Sequence, residues 1–130
     1  MDSQLNILLI DDNEIDIVVN TKLLKLANIS EQITSFMTAR DLIDYINENL
    51  SVLITKQNII LLDIQMPEID GFQCLEMYDE LPQSFKDVCK VFMLSSSIDR
   101  NDIENAEANP NVIKVLEKPL DVYLLKRLIS

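Results

Sequence analysis

The chain contains no histidine and no tryptophan, and only one glycine, Gly71, among its 130 residues. Without histidine there is no Ser-His-Asp triad, no Cys-His dyad and no His-ligated zinc. With one glycine there is no glycine-rich phosphate cradle of either common type. Basic residues are scarce: 11 Lys and Arg face 22 Asp and Glu, a net charge of −11. Such a field repels phosphate backbones and anionic membrane surfaces, and it suits metal cations and basic partner patches. Cys74 and Cys89 lie far apart without a CxxC spacing, which reads as reduced thiols in a reducing, cytoplasmic compartment. The longest apolar runs, Ile7–Ile10 and Ile59–Leu62, are too short to span a bilayer. The first residues carry neither a basic n-region nor an apolar h-region, so no signal peptide is expected.

What is present is an alternation of two kinds of segment. Leu5–Ile10, Asn58–Leu62 and Val91–Leu94 are short solid apolar runs, the pattern of strands buried on both faces. Gln32–Met37 and Val112–Leu116 read as weaker strands. Between and after them lie helical patterns. Glu14–Leu26 carries a stripe of Ile15, Val18, Val19, Leu23 and Leu26, and Ala39–Asn49 follows a Thr38 cap. Phe72–Leu81 ends at Pro82, Arg100–Ala108 follows an Asp99 cap, and Val122–Ile129 follows an Asp121 cap. The order is βα five times. It predicts one α/β domain over residues 1–130, with a core at about 5–129 and no output domain in this chain. The expected architecture is a doubly wound, five-stranded parallel sheet of flavodoxin-like order 2-1-3-4-5.

In such folds ligands bind beyond the carboxyl ends of the strands, and there the unusual polar residues gather. Strand one ends in Asp11-Asp12, strand three in Asp63, strand four in Ser95-Ser96 and strand five before Lys118. Carboxylates grouped at an apolar rim need a cation to offset them. An all-oxygen site suits Mg²⁺, and one lysine adds a fixed positive charge. That set fits phosphoryl transfer onto a carboxylate, with Asp63 as nucleophile and Asp11 and Asp12 holding the metal. Read blandly, Asp11-Asp12 or Asn13 merely caps a helix, Ser95 is a turn serine, and Glu14, Asp16, Glu104 and Glu107 are solvated helix faces.

Ile10-Asp11-Asp12-Asn13-Glu14, the run Leu62-Asp63-Ile64-Gln65-Met66-Pro67-Glu68-Ile69-Asp70-Gly71, Leu94-Ser95-Ser96 and Glu117-Lys118-Pro119-Leu120 stand in order on those strand ends. Together they resemble the response-regulator receiver domain of two-component signalling, of the stand-alone chemotaxis-regulator type, over Leu5 to Ile129. The resemblance implies that Asp63 takes phosphate from a histidine kinase or phosphotransfer protein. It implies Asp12 and Asp63 as direct Mg²⁺ ligands, Asp11 acting through water, and the Gln65 backbone carbonyl as a third protein ligand. Ser95 is implied to bond the phosphoryl group and Lys118 to pair with it, and the Lys118–Pro119 peptide is implied to be cis. Gln65 and Ser97 flank the site and are expected to tune the phosphoryl lifetime. The chain would be a switch with slow self-dephosphorylation, not an enzyme acting on outside substrates. Its output would be protein binding, through the helix at 100–108, Val112–Val115, Tyr123, Leu124 and Lys126.

One departure stands out. The family's aromatic switch position, three residues before the lysine, is Val115 here, so any switch is expected in the loop after Ser95 and the following helix instead. A haloacid-dehalogenase-like phosphatase would also use a strand-end Asp and Mg²⁺, but its general-acid Asp position holds Gln65. A flavodoxin would need a glycine- and threonine-rich phosphate loop. A receiver-like scaffold without phosphorylation would have no need of the complete acid, hydroxyl and lysine set.

Overall fold

The solid apolar runs become the interior of a sheet. The computed structural model describes residues 5–64, 66, 69–95 and 100–129. Its strands are β1 (Leu5–Ile10), β2 (Gln32–Phe36), β3 (Gln57–Asp63), β4 (Cys89–Ser95) and β5 (Val112–Glu117). They form one parallel sheet in the order β2-β1-β3-β4-β5, the doubly wound flavodoxin-like order expected from the alternation.

Side chains on successive strand residues point to opposite faces, and the core divides accordingly. Leu8, Ile10, Ile60, Leu62, Val91 and Met93 line one face, under α2 (Ala39–Glu48), α4 (Gly71–Asp79) and α6 (Arg100–Ala108). Ile7, Leu9, Ile59, Leu61, Phe92 and Leu94 line the other, under α1 (Glu14–Leu26) and α7 (Val122–Ile129). Both faces of the central strands are therefore out of water, which is why those strands are apolar without alternation.

Helix starts follow local chemistry. Thr38 Oγ1 accepts the Asp41 N–H at 3.1 Å, and Asp121 Oδ1 accepts the N–H groups of Tyr123 and Leu124. Asp70 and Gln73 form a reciprocal capping box at α4. The Asp99 cap lies outside the described residues, as do Gln65, Pro67, Ser96 and Ser97.

Two one-turn helices add to the expected set: α3 (Leu50–Leu53) and α5 (Gln83–Lys86). Asn49 separates α2 from α3. Its side-chain amide donates to the Tyr45 carbonyl at 2.8 Å, while its own carbonyl accepts from Val52 and Leu53. Helix α4 stops at Asp79, short of the expected Leu81. The Pro82 carbonyl accepts from Phe85 and Lys86 and opens the next turn, a place its fixed φ suits.

The larger correction concerns α1. Most of the expected inward stripe faces water, Leu23 excepted: Ile15 is 73% and Leu26 80% exposed, and Val18 and Val19 are exposed as well. The helix instead buries Asn20 and Leu24, with Ile17, Leu23 and Ala27 packed partly against the core. The inward row is thus Asp16, Asn20 and Leu24, polar at its first two places. Asp16 and Asn20 lie beside Lys118 and Pro119 near the charged rim, while Leu24 enters the apolar interior.

Candidate functional site

Chain topology alone brings the strand-end acids together. In the β1–β3 register Ile10 pairs with Leu62, so Asp11 and Asp63 follow side by side. Asp11 continues the hydrogen bonding of β1 by donating its N–H to the Phe36 carbonyl at 3.0 Å. Asp63 pairs with Leu94 on β4, which places Ser95 one residue beyond it. Ser95 pairs in turn with Glu117 on β5, and its carbonyl accepts the Lys118 N–H at 2.9 Å. Asp11, Asp63 and Ser95 are buried and Asp12 is exposed. The Lys118–Pro119 peptide is cis.

Asp11 and Asp12 are not helix caps. That task falls to Asn13, whose Oδ1 accepts the N–H groups of Ile15 and Asp16 at 2.9 and 3.1 Å. Asp11 Oδ1 accepts the Asn13 N–H at 2.9 Å, leaving Oδ2 for other partners. Carboxylate oxygens of Asp11, Asp12 and Asp63 all lie within 4.8 Å of one another. Two of these acids are buried and one opens to solvent. A hard divalent cation that keeps part of its water shell fits such an oxygen set.

Lys118 bridges the buried pair. Its Nζ donates to Asp11 Oδ2 at 2.8 Å and to Asp63 Oδ2 at 3.0 Å, with the side chain only 11% exposed. Burial by itself would lower the ammonium pKa. The hydrogen bonds and charges of Asp11 and Asp63 outweigh that cost and hold it above the ordinary lysine value. All buried side-chain nitrogen and oxygen atoms among the described residues have hydrogen-bond partners.

Lys118 has a third acceptor, Asp16 Oδ2 at 3.2 Å. Sequence alone puts Asp16 on a solvated helix face, and the structure corrects this. The signal was its spacing, four residues before buried Asn20 and eight before buried Leu24.

Gly71 secures the base of the site. A Cβ at this position would meet Met93 Cε at 2.6 Å and the backbone oxygen of Asp63 at 2.7 Å. Only glycine lets the start of α4 approach the end of β3 so closely, and its N–H donates to the Ile64 carbonyl at 2.9 Å. Val115 is half-buried, lies opposite Met93 in the sheet and packs against the α2–α4 side of the core. Among the described residues no helix is long and apolar enough to cross a membrane.

A parallel sheet of this order with an acid cluster and a lysine at its carboxyl rim defines a class of flavodoxin-like proteins. Within that class, the model of the response regulator receiver domain matches residues 7–130. The chain belongs to that family and is a receiver domain of a two-component response regulator. It is 35% identical to a response regulator receiver protein from Dyadobacter fermentans DSM 18053, over 96% of this chain and 94% of that one, with a TM-score of 0.84. It is 31% identical to a two component response regulator from Cytophaga hutchinsonii, over 98% and 96%, with a TM-score of 0.87. The fold is also shared, at 20% identity and a TM-score of 0.72, with a chain of the CheX-CheY-BeF3-Mg+2 complex from Borrelia burgdorferi, over 96% and 86%.

Proposed function

We propose that this receiver is an active phosphorylation switch in which Asp63 accepts a phosphoryl group from a histidine kinase or phosphotransfer protein. The observation that carries this reading is the bridging of Asp63 and Asp11 by Lys118 at 3.0 and 2.8 Å, beside the exposed Asp12. An aspartate that must become an acyl phosphate needs positive charge already in place where the new negative charge will develop.

In the proposed step a carboxylate oxygen of Asp63 attacks phosphorus in line with the leaving nitrogen of a phosphohistidine. The new O–P bond forms as the N–P bond breaks, and the imidazole takes a proton from water. Lys118, already within hydrogen-bond reach of Asp63, balances the equatorial oxygens. Ser95 bonds the phosphoryl group once it is in place. Asp12 and Asp63 would hold Mg²⁺ directly, Asp11 through water, and the Gln65 carbonyl would complete the protein ligands. A bound Mg²⁺ supplies further charge neutralisation and in-line orientation. The Borrelia complex, one chain of which shares this fold, contains beryllofluoride and magnesium, and with the acid cluster of Asp11, Asp12 and Asp63 it supports a divalent cation in this receiver.

The output is altered protein binding at α6, β5 and α7, where Ile113 and Tyr123 are exposed. Val115 takes the aromatic switch position, so the change passes through the segment after Ser95 and α6. Turnover of outside phosphoesters is not part of this function. Incubation with Mg²⁺ and acetyl phosphate should add one base-labile phosphoryl group, detected by intact mass, and Asp63→Asn should abolish it. Modification that survives in Asp63→Asn, or that proceeds equally in a chelator, would overturn the reading.

A further inference from the structure

We propose that Asp16 is a positioning residue for Lys118: it holds the third ammonium hydrogen in the resting site and gives it up when a phosphoryl group is added to Asp63. The inference rests on the reading of Asp63 as phosphoacceptor. It starts from donor counting. An ammonium has three N–H groups, and Lys118 has three carboxylate acceptors: Asp11 at 2.8 Å, Asp63 at 3.0 Å and Asp16 at 3.2 Å. A phosphoryl oxygen can gain a bond from Lys118 only by displacing one of them.

Asp16 is the one to be displaced. Its contact is the longest of the three. Its side chain is 39% exposed, whereas those of Asp11 and Asp63 are 0% and 6% exposed, so water compensates Asp16 for the lost partner and cannot do the same for the others. Asp16 also stands on a different element. It is placed by α1, through its N–H bond to the Asn13 cap, while Asp11 and Asp63 are tied to the strand ends. A cleft of about 250 Å³ lined by Asp16, Val19, Asn20, Lys118 and Pro119 leaves the lysine stem room to shift. Asp16 therefore opposes the phosphorylated state twice, by competing for Lys118 and by adding negative charge near the phosphoryl position.

The test uses beryllofluoride as the phosphoryl probe, titrated calorimetrically into the full chain at saturating Mg²⁺. Asp16→Asn should tighten binding about fivefold, the size of one partly exposed charge pair, and Asp16→Ala should tighten it at least as much. Glu14→Gln removes an acid from the same exposed turn without touching Lys118 and should leave affinity unchanged. In parallel, proton exchange of the Lys118 ammonium, followed by NMR in the resting chain, should quicken in Asp16→Asn. Unchanged or weaker beryllofluoride binding in both Asp16 variants overturns the inference. So does an equal gain from Glu14→Gln, which would assign the effect to the general field, and so does an unchanged ammonium exchange rate. Failure of the wild-type chain to bind beryllofluoride with Mg²⁺ overturns the phosphoacceptor reading itself.

Discussion

Strands β1 and β3 carry a buried polar pair at each end, and the two pairs are built differently. At the amino ends, Asn6 Nδ2 donates to Asn58 Oδ1 at 3.1 Å, and Asn58 Nδ2 donates to the Leu53 carbonyl at 2.9 Å. Both residues are neutral and buried, and their bonds close on neighbours fixed by the fold. At the carboxyl ends, Asp11 and Asp63 carry charge and are bridged by a lysine 55 residues beyond Asp63. The first pair is complete without help. The second depends on a cation that reaches in on a flexible stem from a third strand end. A closed neutral pair locks two strands, whereas a charged pair held by a mobile counter-charge can make a site.

The contrast can be broken most forcefully at Lys118. Lys118→Ala leaves two buried carboxylates uncompensated and should cost about 3 kcal/mol in urea denaturation with a chelator present. Added Mg²⁺ should restore more stability to this variant than it adds to the wild type. At the other end, Asn58→Leu orphans the Asn6 amide and takes one of two donors from the Leu53 carbonyl. The Leu53 carbonyl keeps the Lys56 N–H at 3.1 Å, so the cost should be about 1–2 kcal/mol, with no change in the response to Mg²⁺ or in labelling by acetyl phosphate. Equal Mg²⁺ responses in the two variants would end the distinction.

Gly71→Ala sharpens the comparison from the backbone side. The new methyl group would press on the Asp63 carbonyl and Met93, at a cost of about 1–2 kcal/mol. Acetyl phosphate labelling should slow in this variant while the Asn6–Asn58 end stays intact, which amide exchange can report. The smallest effect is expected at Cys74, away from both pairs. Burial pushes its thiol up from 9.0 to about 12. The folded-state pKa is raised, so this stabilisation is complete below the unfolded value and falls away as pH climbs toward the folded one. Urea midpoints measured between about pH 8 and 10 should decline, and Cys74→Ala should flatten that decline.

Legibility from sequence varies with the kind of interaction. The strands are readable because burial on both faces demands nearly continuous apolar runs, and β1 has the expected bounds Leu5–Ile10 although Asn6 interrupts its apolar residues. Asp11, Asp12, Asp63, Ser95 and Lys118 can be grouped because strand ends share one rim in this topology. The short helices α3 and α5 leave no period to detect in four residues each. Helix α1 misleads because its amphipathic stripe suggests a core-facing side that the fold turns to water. Its polar residues Asp16 and Asn20 point inward, since what they meet there is the lysine-bearing rim.

The chain's own order of apolar runs, caps and strand-end acids determined the doubly wound sheet and the membership of the rim, because those follow from local periodicity and from the way parallel strands must connect. Tertiary structure alone decided which face of α1 turns inward and that Lys118 divides its hydrogens among Asp11, Asp63 and Asp16. Periodicity says which side chains share a face. It cannot say what lies opposite, and the partners of a charge 102 residues away in sequence are set only when the sheet closes around it.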